Sequence, residues 1–119
     1  MITLLLPYPP TINHYYGVRG KARFIKPEGV EFRNLVDRNV KDKKHKMIIG
    51  DVEIVIQIIP PDKRKRDIDN VLKALLDSLT KAGTWKDDSQ IVDLRIIKLK
   101  PMKGGGTLVQ IRNLSEPEF

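Results

Sequence analysis

A run of cations leads directly into two aspartates in the middle of the sequence. The cations occupy positions 63–66, and the aspartates are Asp67 and Asp69. Apolar residues then recur at helical spacing over 68–79, so the aspartates lie where a core helix begins. Just before a helix and in its first turn, two side chains can face the same cation, whereas residues two apart deeper in a helix diverge by about 200°. Asp67 and Asp69 are therefore candidate ligands of one metal ion.

Three further side chains extend this candidate site. Lys73 follows Asp69 by four residues on the same helix face, and Asp87 and Asp88 lie in the loop after the helix. Clustered carboxylates repel one another unless a cation neutralises them. The chain has no cysteine and only two histidines, so its ligands are mainly oxygens, which favour Mg²⁺ with Mn²⁺ as a substitute. The sequence predicts a magnesium site at this helix.

A structural role for the same aspartates stays open. Aspartate is favoured at the N-cap, and an acidic residue in a first helical turn gains roughly 0.3–1 kcal/mol from the helix dipole. In that case Asp67 caps the helix, and Asp69, Asp87 and Asp88 offset nearby lysines. A non-catalytic basic protein is therefore an alternative interpretation.

The net charge favours a polyanionic partner. The chain has 22 Lys and Arg against 15 Asp and Glu, a formal charge of +7, which favours nucleic acid. A ribosomal, architectural or merely soluble basic protein has the same balance. The predicted phosphate-binding residues beside the aspartates are Lys63, Arg64, Lys65 and Arg66.

A second predicted DNA-binding element is the stretch 13–23, which resembles a short hairpin built around two glycines. Its aromatic and basic residues are Tyr15, Tyr16, Arg19, Lys21 and Arg23. Tyrosine rings stack on bases and arginines contact phosphates, which favours a strand-binding role. An exposed loop with two anchoring tyrosines is an equally good interpretation.

The elements that position these residues predict one α+β domain spanning residues 1–119. Strands are expected at 2–6, 52–58, 91–99 and 107–112, and helices at 27–43 and 68–79. Three glycines at 104–106 predict that the last two strands form an antiparallel hairpin. This order favours a small mixed or antiparallel sheet with the two helices packed on one face. Residues 115–119 are expected to fray.

No stretch approaches the roughly 18 apolar residues of a membrane span. The first residues also lack the basic leader and long apolar centre of a signal peptide. We therefore expect a cytoplasmic protein with no membrane partner.

Three stretches resemble the RusA family of Holliday junction endonucleases, and the resemblance extends over nearly the whole chain. They are Leu6-Pro7-Tyr8-Pro9-Pro10 followed by Asn13 and Tyr15-Tyr16, the basic run into Asp67-Ile68-Asp69-Asn70, and Leu79-Thr80-Lys81-Ala82-Gly83 with Trp85 and Asp87-Asp88 beyond. The resemblance implies essential acidic residues at Asp67, Asp69 and Asp88, with Asp87 beside the last, and a functional lysine at Lys73.

The same resemblance implies an activity and an assembly. A member of this family resolves four-way DNA junctions in recombination and repair by symmetric, Mg²⁺-dependent phosphodiester hydrolysis. Two opposed strands must be cut and one small chain holds one site, so a C2 homodimer is expected. A nuclease for other branched DNA, such as flaps or forks, uses the same chemistry and is a second alternative.

Overall fold

The computed structural model describes residues 1–115 and confirms the α+β class. The strands are β1 (Ile2–Leu6), β2 (Tyr16–Arg19), β3 (Ala22–Ile25), β4 (Val52–Ile59), β5 (Ile91–Lys98) and β6 (Gly106–Asn113). The helices are α1 (Ile12–Tyr15), α2 (Pro27–Asp42) and α3 (Leu72–Lys81), and 3₁₀ turns lie at Ile68–Val71 and Asp88–Gln90. The predicted fraying falls, except for its first residue, outside the described residues.

The main sheet is mixed and has the strand order β1-β6-β4-β5. β4 pairs parallel with β5 and antiparallel with β6, which in turn pairs antiparallel with β1. Alternate residues of β4, from Val52 to Ile58, are buried, as the β-branched alternation predicted. They pack with α2 and α3 into one hydrophobic core, so the sheet has its helices on one face.

The predicted hairpin of the last two strands is wrong, because β4 lies between β5 and β6. The chain crosses the end of β4 instead, where the Met102 N–H donates to the Pro60 carbonyl at 2.9 Å. Gly105 has a φ of 63°, and a Cβ there would lie 2.8 Å from the Ile59 carbonyl oxygen. β4 is a central strand, so its backbone groups bond to a neighbouring strand on each side. The glycines let the chain pass close to the end of β4 on its way from β5 to β6.

The two long helices match their predictions closely. α2 ends one residue before the predicted boundary and buries Phe32, Val36 and Val40. After α3, Gly83 adopts a φ of 83°, and Trp85 folds back into the core with its indole N–H donating to Thr80 at 2.7 Å. The buried face of α3 and the packed Trp85 fix this helix against the sheet.

None of the helices in residues 1–115 is long and apolar enough to span a membrane.

The predicted hairpin near the N-terminus is confirmed as the β2–β3 pair. Its turn is at Gly20, which has a φ of 63°. Asn13 was expected in the hairpin but lies in α1, whose single turn precedes β2. This short helix sets the direction in which Tyr15 and Tyr16 leave the backbone.

Candidate active site

Asp67 and Asp69 lie at the helix mouth, which we define as Asp67 and the 3₁₀ turn Ile68–Val71 in front of α3. Asp67 is extended (φ −78°, ψ 137°), as predicted, but its side chain makes no capping hydrogen bond. Both aspartates are exposed, and neither side chain has a hydrogen-bond or ion-pair partner within residues 1–115. Their carboxylate lone pairs are therefore open to an external ligand, and the capping role considered for Asp67 is not one that its side chain performs.

Lys73 stands in the first turn of α3, next to the helix mouth. Its side chain is exposed. Burial raises the pKa of Asp77, one turn further along the helix, but hydrogen bonds from Tyr15 and Arg33 lower it, and the charge of Lys73 adds a smaller contribution in the same direction. Lys73 thus lies between Asp69, whose carboxylate has no protein partner within residues 1–115, and Asp77, whose carboxylate accepts hydrogen bonds from the protein. This position leaves its charge available to an anion that approaches the helix mouth.

The second acidic pair has a different environment. Asp87 caps the 3₁₀ turn Asp88–Gln90 by accepting a 3.0 Å hydrogen bond from the Ser89 N–H, which holds the pKa of Asp87 below its usual value. The Gln90 side chain completes the capping box and donates to the carbonyls of Ile48 and Gly50 at 2.8 and 2.9 Å. Asp87 therefore has a structural task, whereas Asp88 is exposed.

The two acidic pairs are far apart within one chain. α3 has ten residues, about 15 Å at the usual helical rise, and separates the helix mouth from Asp88. The helix mouth lies at the last residue of β5, where the Lys98 ammonium donates to the Arg66 carbonyl at 2.8 Å, while Asp88 precedes the first residue of β5. Within residues 1–115 no three acidic or histidine side chains are close enough to hold a metal ion. The expected convergence is therefore not found among residues 1–115, where Gln90 ties the loop of Asp88 to the segment just before β4.

The basic loop before the helix mouth divides into free and engaged cations. Arg66 donates to Asp62 at 2.7 Å, and this hydrogen bond lowers the pKa of Asp62 to about 2. Arg64 donates its backbone N–H to Asp62 and forms a long 3.7 Å ion pair with it, but its side chain is 84% exposed. Lys63 and Lys65 are exposed as well. Three of the four predicted phosphate-binding cations thus face solvent, and Arg66 mainly orders the loop.

A cavity of about 300 Å³ beside this loop contains residues that the sequence did not single out as functional. Tyr8 and His14 line it together with Arg64, Lys65 and Arg66. The Tyr8 hydroxyl is buried without a hydrogen-bond partner among residues 1–115, and burial raises its pKa. The proline-rich segment around Tyr8 was the available signal, since prolines at fixed φ hold an aromatic ring in place.

The base-stacking role predicted for Tyr15 is wrong, because its ring is fully buried. Its hydroxyl donates to Asp77 at 2.5 Å and accepts from Arg33 at 2.6 Å, with Ser78 at 3.2 Å. Tyr15 is thus an anchor between α1, α2 and α3, the other interpretation of this segment.

The remaining hairpin residues stay at the surface. Tyr16 is half-buried, with the Arg23 guanidinium 3.8 Å from the centre of its ring. Arg19 and Lys21 are exposed, and Arg19 lies 5.4 Å from the ring of Phe24. The hairpin therefore presents cations and partly exposed aromatic rings to solvent.

A basic α+β protein that places exposed cations beside open carboxylates has the features of an enzyme that acts on nucleic acid. The comparison with known families agrees with these features. The chain belongs to the Endodeoxyribonuclease RusA family, whose model matches residues 7–112. The resemblance found in the sequence is confirmed.

Relatives in bacteria and a phage are similar over most of their length. The chain is 41% identical over 104 residues to the crossover junction endodeoxyribonuclease RusA of Shigella sonnei (strain Ss046), and 40% identical to that of Escherichia coli (strain K12). In both cases 87% of each chain is covered. The identity to the protein of the same name from Enterobacteria phage 82 is 42% over 103 residues, covering 86% of each chain.

Proposed function

We propose that this chain is a structure-selective endodeoxyribonuclease that resolves four-way DNA junctions by Mg²⁺-dependent phosphodiester hydrolysis in recombination and repair. The observation that carries the proposal is the family membership over residues 7–112, with relatives named crossover junction endodeoxyribonucleases. The open carboxylates of the helix mouth support the same chemistry, since they suit a hard, oxygen-bound cation. A nuclease family of this kind implies a divalent metal, and Mg²⁺ is the ion that we propose.

The proposed metal ligands are Asp67, Asp69 and Asp88, with Asp87 as an additional carboxylate. Bound Mg²⁺ supplies an activated water and charge neutralisation at the phosphate. Asp67 and Asp69 fit such an ion because no protein group occupies their oxygens within residues 1–115. One oxygen of Asp87 already accepts the Ser89 N–H, which makes Asp87 the weaker ligand.

The remaining side chains bind and orient the DNA in this proposal. Lys73 either orients the attacking water or neutralises the scissile phosphate, because its ammonium lies one turn from Asp69. Lys63, Arg64 and Lys65 contact the backbone beside the cut, which positions a duplex without reading its sequence. Arg19, Lys21 and Arg23 of the hairpin and the Tyr16 ring form a second contact.

The proposed substrate requires two cuts. A four-way junction has near-twofold symmetry, and a C2 homodimer presents one site to each of two opposed strands. We therefore propose a homodimer of one-domain subunits as the active form. Because the substrate is intracellular DNA, we propose the cytoplasm as its compartment.

A non-catalytic junction-binding protein is the second candidate. The separation of the two acidic pairs within one chain favours it, since no three carboxylates meet among residues 1–115. In that case the exposed cations bind DNA and the aspartates have no ligand.

Cleavage of a labelled four-way junction distinguishes the two candidates. We expect wild-type protein to nick two opposed strands with Mg²⁺ and none with EDTA. Asp67→Asn should bind the junction with unchanged affinity and cut no strand, because it removes a ligand and keeps the fold. Asp42→Asn, the same chemical change at an exposed position on α2, is the matched control and should cut normally.

Two results contradict the resolvase proposal. If cleavage survives both Asp67→Asn and Asp69→Asn, these aspartates are not required for hydrolysis. If the protein cleaves a linear duplex and a mobile four-way junction equally, it is a nuclease without selectivity for junctions. A nuclease that acts on flaps or forks would then be a better description.

A further inference from the structure

The Tyr8 ring is partly exposed, but its hydroxyl oxygen is buried and has no hydrogen-bond partner within residues 1–115. Most buried polar groups in folded proteins have a partner, because an unpaired one costs the free energy of its desolvation. Burial also raises the pKa of Tyr8, so the hydroxyl stays protonated near neutral pH. The position of Tyr8 is thus unfavourable for stability, as the positions of residues that serve a function often are.

The chain around Tyr8 holds the ring in this position. The prolines on both sides of it have a fixed φ, and the Thr107 hydroxyl donates to the Pro7 carbonyl at 3.0 Å. A Cβ on Gly105 would lie 3.2 Å from the Tyr8 Cβ, so the chain that leads into β6 packs directly on this residue. The Tyr8 side chain therefore has little freedom to reach another hydrogen-bond partner.

Tyr8 lines two cavities that differ in charge. The cavity of about 230 Å³ is also lined by two glutamates of α2, whereas the cavity of about 300 Å³ is also lined by the cations at 64–66. After burial, the charges that shift the pKa of Tyr8 are those of Arg66, which lowers it, and Asp62, which raises it. The hydroxyl therefore lies towards the second cavity, which we call the Tyr8 cavity. The carboxylates of the first cavity repel a phosphate, so only the Tyr8 cavity suits DNA.

The Tyr8 cavity has the size and the chemistry that suit a nucleotide. Its 300 Å³ is room for about ten water molecules at roughly 30 Å³ each, so a single bridging water does not fill it. Pro9, Pro10 and Pro61 provide apolar walls, and the exposed side chains of Arg64 and Lys65 add positive charge. A nucleotide has the two matching features, a flat base with apolar faces and an anionic phosphate.

The Tyr8 cavity is close to the helix mouth along the chain. Arg66, which lines the cavity, directly precedes Asp67 and is held by its 2.7 Å hydrogen bond to Asp62. Arg64 is three residues before Asp67, which is at most about 11 Å of extended chain. Successive phosphates of one DNA strand are about 3.4 Å apart along the helix axis. A nucleotide in the cavity therefore lies within a few nucleotides of a phosphate at the helix mouth.

We propose that the Tyr8 cavity binds one unstacked nucleotide of the DNA substrate, with its base packed against Tyr8 and the prolines and its phosphate bound by Arg64 and Lys65. This inference rests on the proposed function, because the nucleotide belongs to the strand whose phosphate lies at the helix mouth. Packing of a base on an aromatic side chain tolerates any sequence, so the cavity recognises the unstacked state and not one particular base.

The cavity thereby contributes to the selectivity for branched DNA. A base in an intact duplex must lose its stacking and its pairing before it enters the cavity, and this costs less where the stack is already interrupted. The branch point of a four-way junction interrupts the stack, whereas a linear duplex does not. Tyr8 is thus a residue that selects the structure of the substrate, in addition to the carboxylates that hold the metal.

A thermodynamic cycle between protein and DNA tests the cavity. Junctions with one abasic site, placed in turn at each nucleotide near the branch point, are bound by wild type and by Tyr8→Leu in EDTA, and fluorescence anisotropy gives the dissociation constants. At the position that enters the cavity, loss of the base should weaken binding by wild type roughly fivefold or more and binding by Tyr8→Leu less than about twofold. Tyr8→Phe keeps the ring and should behave as wild type does.

The wild-type chain supplies a second measurement that does not depend on the folding of a variant. 2-Aminopurine at the same position should change its fluorescence when the junction is bound, because the base leaves its stack, and should not change in a linear duplex of the same sequence. The proposed cavity is overturned if no position shows the coupling to Tyr8, or if no position of the junction changes its fluorescence.

Thermal unfolding checks the cost of the Tyr8 hydroxyl. Tyr8→Phe removes an unpaired buried group, so its melting temperature should equal that of wild type within about 1 °C or exceed it. Tyr15→Phe is the same chemical change, but it removes hydrogen bonds with Asp77 and Arg33 and should lower the melting temperature by about 4 °C or more. If Tyr8→Phe melts as low as Tyr15→Phe, the Tyr8 hydroxyl has a partner and the argument for the cavity is contradicted.

The cavity and the proposed function fail in different ways, because the coupling is measured without a metal ion. If wild type cuts junctions with Mg²⁺ but shows no coupling, the cavity is contradicted and the nuclease function stands. If the coupling is present in a protein that cuts no junction, the nuclease function is contradicted and the nucleotide site stands.

Discussion

Two aspartates of the same helical segment, Asp69 and Asp77, have opposite surroundings. Asp77 accepts hydrogen bonds from Tyr15 and Arg33, at 2.5 and 2.6 Å, and its side chain is 17% exposed. Asp69 is exposed and has no side-chain partner within residues 1–115. A carboxylate that accepts hydrogen bonds from buried protein groups stabilises the fold, whereas one without a protein partner in a basic protein is available to a ligand. This difference separates structure from function on one helix.

Asp69→Asn should have the largest effect on activity and almost none on stability. Loss of a metal ligand removes several kcal/mol of transition-state stabilisation, so we expect single-turnover junction cleavage to fall roughly 10³-fold. The free energy of unfolding in urea should change by less than about 0.5 kcal/mol, because no protein contact is lost. A variant that loses stability and keeps cleavage would place Asp69 in the same class as Asp77.

Asp77→Asn should give the reverse result. It leaves the Arg33 guanidinium half-buried without its counter-ion, which we expect to lower the free energy of unfolding by about 2–3 kcal/mol. Cleavage by the folded variant should stay within about threefold of wild type, because Asp77 lies two turns from the helix mouth. Asp37→Asn, which breaks an exposed pair with Lys41, is the matched control and should cost less than about 0.5 kcal/mol. Equal losses in the two variants would contradict the assignment.

The buried network should also give stability a pH dependence at both extremes. Burial raises the pKa of Asp77, but hydrogen bonds from Tyr15 and Arg33 outweigh it and the net pKa is lowered. Its contribution is therefore present above the unfolded value of about 4 and is lost as the pH falls through the folded pKa. Burial and the bond to Asp77 raise the pKa of Tyr15 to about 12, so its contribution is complete below about pH 10 and is lost as the pH rises towards 12.

Urea midpoints measured against pH check both limits. The difference between wild type and Asp77→Asn should shrink below about pH 4, and that between wild type and Tyr15→Phe should shrink between about pH 10 and 12. Differences that stay constant across these windows would mean that the network does not control stability.

The local elements could be predicted from the sequence because they depend on periodicity. The inward face of β4, the stripes of α2 and α3, and the left-handed Gly83 all follow from spacing and residue type. The strand that pairs with β5 could not be predicted in this way. Glycines at 104–106 indicate a loop, but they do not indicate which strand lies beside the chain after that loop.

At the candidate site the limit of sequence reasoning was the same. The open carboxylates of the helix mouth followed from a local pattern, and Asp67 has the extended backbone that was predicted. The separation of Asp88 and the burial of Tyr15 depend on tertiary contacts, through Gln90 and Asp77, that no spacing discloses.

The smallest expected effect extends the comparison to two neighbouring cations, Lys65 and Arg66. Lys65 is exposed and free to meet a phosphate, whereas Arg66 is bound to Asp62 and lies 5.8 Å from the centre of the Tyr8 ring. Lys65→Gln should reduce the slope of log affinity against log salt by about 1, with unchanged thermal stability. Arg66→Gln should change the slope less and lower the melting temperature more, because the loop loses its internal anchor. Fluorescence anisotropy of a labelled junction across a salt series measures the slopes, and equal slopes for the two variants would mean that Arg66 binds phosphate as readily as Lys65.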